Sequence, residues 1–435
     1  MNDFPTELVR EIFALAISLV RQHTPPVDLE AAPWTLVRVC VLWRTVALSF
    51  PELWSTIIIS AADHRNFPRD QHCLELQLRR SANAPLDIVL RMARFSWQEW
   101  EEGLGGMAEL LARESARWRS LHILGFSDWW PHQSFNDIVS LPLLERVALS
   151  GFSFQLSAEQ YAGDAAFLFR DAPRLDYVIM NGPDEFAVHL TPESTVPWSQ
   201  IRTYKAQYAL WEQHVPSLGL MAGNLVSADI SLHPETRHLV WNEPRLEFPS
   251  LRRLVVSHHV ILDFVTAPAL TELHVHGSVR QVPVFLQRTA CKIRQLTLYE
   301  CSSIAAKILE VLGGMSETLE HLAIEIDGDG GTPLRVLDGL RLAPSDQGQL
   351  CPNLVSIAWW NVPNDGDRDA LMAMVWSRWR VPLRNLRMFT LLLNSRLVRG
   401  RDWYQLRQEG LQVKLVTESK VVKAIKEWRE YFPVV

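Results

Sequence analysis

The chain has 435 residues, 48% of them apolar, and a formal net charge of −6. That length corresponds to about three domains and is ample for a large core, and the charge offers no basic field for duplex nucleic acid as a main partner. Five cysteines (Cys40, Cys73, Cys291, Cys301 and Cys351) without a CxxC pair exclude a disulfide scaffold and fit a reducing compartment, the cytoplasm or the nucleus.

The first element is a helix within Phe4–Ile17. Leu8, Ile12 and Leu15 recur at helical spacing, with Val9, Phe13 and Ala16 beside them. Pro5 and Thr6 stand where a helix starts. Arg10 and Glu11 interrupt the apolar run, so it is a poor signal peptide, and no stretch of the chain reaches the roughly 18 uncharged residues of a membrane span. A polar link, RQHTPPVDLEAAP, leads to a second helix whose stripe is Leu36, Val39, Cys40, Trp43 and Ala47. Pro51 ends it, Leu53 and Trp54 come next, and Ser55–Ser60 begins the strands. Two readings of this block are open: a docking module, or a helical cap that seals the first strand unit.

From there one pattern returns: apolar, two residues, apolar, one residue, apolar. The clearest copies are Leu144-Val147-Leu149, Leu251-Leu254-Val256, Leu270-Leu273-Val275, Ile293-Leu296-Leu298 and Leu319-Leu322-Ile324. Weaker copies are Trp118-Leu121-Ile123, Leu175-Val178-Met180, Ile201-Tyr204-Ala206, Leu225-Ala228-Ile230, Leu354-Ile357-Trp359 and Leu386-Phe389-Leu391. Most successive starts lie within the span of about 20–29 residues that marks leucine-rich repeats. In several copies (LPLLERV, APRLDYV, FPSLRRL, APALTEL, CPNLVSI) a proline stands two residues ahead of the first apolar position. Because proline cannot donate to a sheet ladder, it is expected at a strand entrance. Each unit reads as a short strand with a variable return, and units bury their apolar faces only by stacking. The fold class expected is α/β: a helical domain over 1–55, an irregular solenoid with a parallel sheet over 56–419, and a capping helix over 420–435. Val421, Ile425 and Trp428 of the last segment lie at helical spacing.

Residues between the inward ones should line the open, concave face. Along the array these are Arg146, Tyr177, Ile179, Lys205, Asp229, Arg253, Glu272, His274, Gln295, Tyr299, His321 and Trp360. Charges mixed with aromatics suit recognition of a protein surface or peptide. His274 and His276 alternate onto one face, with His258, His259 and His321 in nearby units, but no carboxylate or cysteine accompanies them at ligand spacing, so no metal or other cofactor is expected. DGDGG at Asp327–Gly331 lacks the third carboxylate and closing glutamate of a calcium loop and reads as a tight turn. The chain has no Gly-Lys dipeptide, no H-E-x-x-H and no G-x-S-x-G, so an enzyme is not expected.

Two resemblances complete the reading. The repeats resemble degenerate leucine-rich repeats, in which the usual Asn or Cys after the last apolar position survives only as Cys301 and Asn394. The N-terminal block resembles the F-box, through Phe4, Pro5 and Glu7, Ile12 and Phe13, Val39, Cys40, Trp43 and Arg44, and Leu53 and Trp54; Phe4 replaces the usual Leu. APLDIVL (Ala84–Leu90) and PWSQI (Pro197–Ile201) are also similar to segments of fungal F-box proteins with repeat tails. The resemblance implies a non-catalytic substrate-receptor subunit of a Skp-cullin-F-box ubiquitin ligase. Pro5, Leu8, Ile12, Phe13, Leu36, Val39, Cys40, Trp43, Leu53 and Trp54 would build or line the surface for the Skp adaptor. The repeats would hold a protein substrate for ubiquitin-dependent degradation. An F-box scaffold that binds a partner without driving its ubiquitination is the alternative.

Overall fold

A computed structural model describes residues 5–20, 32–60, 67–92, 97–125, 133–135, 137–150, 169–181, 196–209, 211–232, 245–326, 331–342, 349–360, 365–380, 385–393 and 401–417. The expected capping helix over 420–435, Phe4, Asn394 and all of the DGDGG segment but Gly331 lie outside them. The chain divides into two compact units, Met1–Met221 with Leu232–Leu239, and Ala222–Ser231 with Val240–Val435. Both are mixed α/β.

The first unit opens with three helices, α1 (Thr6–Val20), α2 (Leu36–Val39) and α3 (Val41–Leu48), and a 3-10 turn over Pro51–Trp54. Six parallel strands succeed them in chain order: β1 (Thr56–Ser60), β2 (Leu86–Met92), β3 (Trp118–Gly125), β4 (Arg146–Ser150), β5 (Tyr177–Asn181) and β6 (Thr203–Ala209). Helices α4 (Phe67–Arg80) and α5 (Trp97–Arg113) return the chain between the first of them, since parallel neighbours require a crossover.

The second unit has eight parallel strands, again in chain order: β7 (Ser227–Leu232), β9 (Arg253–Val256), β11 (Glu272–His276), β12 (Gln295–Cys301), β13 (His321–Ile326), β14 (Ser356–Trp360), β15 (Met388–Leu393) and β16 (Gln412–Thr417). Two-residue strands β8 (Leu246–Glu247) and β10 (Val265–Thr266) pair separately. Helices Val282–Thr289, Ala305–Gly314, Gly331–Gly339, Asp365–Trp379 and Arg401–Gln408 form the returns.

Every member of the eleven triads is buried, the most accessible being Met180 at 7%. The strand registers explain why. Leu121, Val147, Val178 and Tyr204 align across β3–β6, and Ala228, Leu254, Leu273, Leu296, Leu322, Ile357, Phe389 and Val413 align across the second unit. Each row shares one side of the pleat. Full burial of such a side chain contributes about 1.5–3 kcal/mol, but only when a neighbouring strand supplies the other wall. Trp54, Ile57 and Ile59 follow the same spacing and are equally buried, so Trp54 is at once the last anchor of the helical block and the first inward residue of the array.

The prolines act one step earlier than a strand entrance. Pro142, Pro173, Pro249, Pro268 and Pro352 each occupy the second position of a turn whose fourth residue is the first triad member. The N–H of Leu144, Leu175, Leu251, Leu270 and Leu354 closes these turns onto Leu141, Ala172, Phe248, Ala267 and Cys351, at 3.1–3.4 Å. Proline presets the φ that this turn position requires.

Side chains about one repeat away satisfy the exposed carbonyls of these turns and of the helix ends. Gln200 donates to Ala172 O (2.7 Å) and Leu175 O (2.9 Å), Ser250 to Gly223 O (3.0 Å), Thr318 to Ile293 O (2.7 Å) and Asn353 to Glu317 O (2.8 Å). Arg117 reaches Ala84 O at 2.9 Å. The deepest of these is Arg378, whose guanidinium spans Leu340 O (2.8 Å), Leu350 O (2.7 Å) and Cys351 O (2.7 Å). Burial pushes its pKa down to about 10, opposed by the Cys351 thiol. Residues of unlike type thus satisfy carbonyls in successive units. Cys301 is buried behind a bulge in β12.

Candidate functional site

The helical block is built around Phe13 and Trp54. Phe13 meets Trp43 edge-on (centroids 5.0 Å apart) and Trp34 meets Trp54 in the same way (5.1 Å). The Trp54 indole N–H donates to Ala47 O at 2.8 Å, seven residues back in the last turn of α3. Trp118 repeats that bond to Leu111 at the end of α5 (3.1 Å). Val9, Leu36, Val46 and Leu53 complete the core, which also takes in Cys73 of α4. Gln77 of α4 donates to Trp54 O (3.3 Å) and Thr56 O (2.7 Å), and Arg80 lies over the rings of Trp54 (4.4 Å) and Trp34 (5.1 Å). A boundary at residue 55 therefore cuts through a packed cluster. The block also covers the first repeat, as a cap does.

Not all of the residues expected at the adaptor surface reach it. Phe13, Leu36, Leu53 and Trp54 are buried and build the block from inside; Trp43 is half-buried against Phe13. Pro5 is exposed at the start of α1, where its carbonyl accepts from Val9 N–H. The second helix is broken rather than continuous. Cys40 is extended (φ −157°) and its sulfur accepts the Trp43 N–H at 3.4 Å, capping α3. The break turns Val39 and Cys40 outward. What remains in solvent is an apolar set: Leu8 (46% exposed), Ile12 (45%) and Leu15 (64%) on α1, with Val39 (58%) and Val41 (76%) beside Cys40. Leu15 extends the stripe that its spacing with Leu8 and Ile12 suggests, Val39 lies outward rather than packed within, and Val41 and Leu48 are additions that the motif did not single out.

The open sheet faces carry the second set. In the first unit Arg146 is exposed and Tyr177 and Lys205 are half-buried, with Lys205 Nζ 5.7 Å from the Tyr177 ring centroid. In the second unit Asp229, Arg253, Glu272, Tyr299 and His321 are half-buried on the face away from the triads. Arg253 pairs with Glu272 at 3.5 Å; burial raises the Glu272 carboxyl and Arg253 opposes the shift. His321 Nδ1 and Ser356 Oγ lie 2.9 Å apart, and burial lowers the His321 pKa against the opposing charge of Glu320. Tyr299 stands between His276 (5.3 Å) and Trp360 (6.0 Å), and His276 pairs with Glu300 at 2.9 Å. Glu300 has φ +45°, a left-handed backbone forced by the bulge.

Three residues expected on this surface are corrected by the packing. His274, Gln295 and Trp360 are all at least nine-tenths buried. Strands about 4.8 Å apart leave little room between registered neighbours: Val255 and Thr297 flank His274, and Glu272 and His321 flank Gln295. Trp360 packs with Tyr299 against Ala323 and Ala358. Among the described residues no group of three His, Cys, Asp or Glu is placed to hold a metal, and no helix is long and apolar enough to cross a membrane. All five thiols are free of disulfides. No protein-family model matches the chain, and no curated protein is significantly similar to it.

Proposed function

We propose that this chain is the substrate-receptor subunit of a Skp-cullin-F-box ubiquitin ligase, acting in the cytoplasm or nucleus. In this reading the helical block is an F-box that docks on the Skp adaptor, and the strands form a leucine-rich-repeat-like solenoid that holds a protein substrate. The observation that carries it is the stripe Leu8, Ile12 and Leu15. A helix folded only as a cap needs its inward face alone, which Val9 and Phe13 already provide. The outward stripe is apolar, helically spaced and unburied, the kind of surface a groove-forming partner covers. The chain then contributes positioning rather than chemistry, holding a substrate near a loaded enzyme.

Packing of Trp54, Gln77 and Arg80 between block and first repeat supports the same reading, because it fixes the docking face relative to β1. The test is co-expression with a Skp adaptor, then reconstitution with cullin and RING subunits. Stoichiometric co-purification and ubiquitination of a bound partner are expected. Co-purification without ubiquitination favours the scaffold alternative, and no co-purification refutes the F-box assignment.

A further inference from the structure

We propose that the open face of β2–β6 is a docking surface for an acidic polypeptide segment, an assignment that deepens the receptor reading and rests on it. The charges on this face are one-sided. Arg91 on β2, Arg146 on β4 and Lys205 on β6 project from it by strand alternation. The five strands contain a single carboxylate, Asp87. It is engaged by Arg119, whose Nε lies 3.1 Å away, and by Ser120 Oγ at 2.8 Å. Among the described residues Arg119 pairs with Asp87 and Arg253 with Glu272 on the strands, and the cation of Lys205 meets the Tyr177 ring. Asp176, in the turn ahead of β5, feels both Arg202 and Arg146, and its carboxyl is raised mainly by burial. It lies before the strand, outside the row of projecting side chains. His122, on β3 between the two arginine-bearing strands, has its pKa lowered by burial and by Arg91. The comparable arginine of the second unit, Arg253, is already paired with Glu272 at 3.5 Å.

The geometry suits an extended chain. Four strand spacings separate β2 from β6, about 19 Å, which a strand-like segment of roughly six residues spans at about 3.3 Å each. Tyr177 registers beside Arg146 and holds Lys205 against its ring, so the ammonium group is ordered before any ligand arrives. Carboxylates of the segment would pair with Arg146 and Lys205, and its backbone would lie over Ala148 and Ile179, which occupy the middle row.

The test uses the full chain bound to its adaptor, with a fluorescein-labelled hexaglutamate peptide as probe. Saturable binding with half-saturation below about 1 mM is expected. It should weaken markedly between 50 and 300 mM salt, as exposed charge pairs do. Arg146→Glu with Lys205→Glu should weaken it by about tenfold or more. The charge-matched pair Arg79→Glu with Arg113→Glu, on the return helices, should leave it within about twofold. An equal loss in both pairs, or tighter binding of hexalysine, overturns the proposal. Tighter binding of a thymidine 12-mer than of the peptide also overturns it and points to a nucleic-acid phosphate backbone. Co-purified adaptor is scored on the same preparations. Peptide binding without adaptor removes the ligase reading and leaves this site. Adaptor without peptide binding removes this site alone.

Discussion

The helical block and the repeat array use the same apolar residues to opposite ends. In the array all eleven triads are inward and buried, and among the described residues the exposed large apolar ones are scattered singles such as Val139, Val284 and Ile304. In the block, Leu8, Ile12, Leu15, Val39, Val41 and Leu48 all stay in solvent within about forty residues of one another, while Phe13 and Trp54 alongside them are wholly buried. The difference shows that the block's outward residues are not left over from an incomplete core. Its core is closed without them.

The comparison can be broken first at the joint between the two regions. Trp54→Ala removes the residue that belongs to both, so it should destabilise the chain by about 3–5 kcal/mol. Hydrogen exchange should speed up in α4 and β1 while β12–β14 stay protected. Uniform loss of protection would mean that the block and array are one cooperative body. Deleting residues 1–50 should act the same way, fraying the first repeat but leaving a soluble array.

Within the array, Arg378→Met is the next largest effect. It removes a donor from three carbonyls, of which Cys351 O keeps the Leu354 N–H. A loss of about 2–4 kcal/mol in denaturant titration is expected, with little recovery in Arg378→Lys, since an ammonium cannot span the same fork. A change below about 1 kcal/mol would show that the carbonyl clamps are dispensable.

A smaller effect of opposite sign is expected at Ala290. This residue ends the helix Val282–Thr289 with φ +51°, its N–H bonded to Leu286 O. Glycine takes that backbone without the Cβ clash, so Ala290→Gly should stabilise the chain by about 1 kcal/mol.

The smallest effect is a pH dependence. Burial lowers the pKa of His259 and His321. Below about pH 6.5 the unfolded chain binds the protons that these folded imidazoles refuse, so stability should decline as pH falls through that value and level off once both states are protonated. His321→Asn should flatten part of the slope. The buried carboxyls of Asp176 and Glu272 are raised and act in the opposite sense at lower pH, near the carboxylate range. A slope unchanged in the variant would remove His321 from the linkage.

Much of the array is legible in the amino-acid order because burial imposes a strict alternation. Two strands escape that reading for identifiable reasons. In β2 the first inward residue is Leu86, paired with Trp118 across a register shift, and in β16 it is Leu411. Each stands two rather than three positions before Ile88 and Val413, and exposed Pro85 and Gly410 (φ +99°) occupy the three-residue spacing, so neither strand shows the full apolar signature. The carbonyl clamps are invisible in sequence, because Gln200, Ser250, Thr318 and Arg378 share no residue type and act about one repeat away. Likewise the block's outward stripe on α1 was readable from spacing, whereas the outward turn of Val39 depends on a break at Cys40 that no helix-breaking residue announces. The burial of Trp360 on the open face results from its packing on Ala323 and Ala358, side chains contributed by two strands.

The central claim is that the exposed stripe of α1 is a docking face. It is tested most directly by titrating purified Skp adaptor against Leu8→Ala with Ile12→Ala, with circular dichroism and thermal unfolding recorded in parallel. Both side chains are about half exposed, so the fold should be unchanged and stability should fall by no more than about 0.5 kcal/mol per site. Adaptor affinity should fall by about 30-fold or more, as expected when apolar anchors leave an interface. A folded double variant that binds the adaptor as tightly as the unaltered chain would contradict the account.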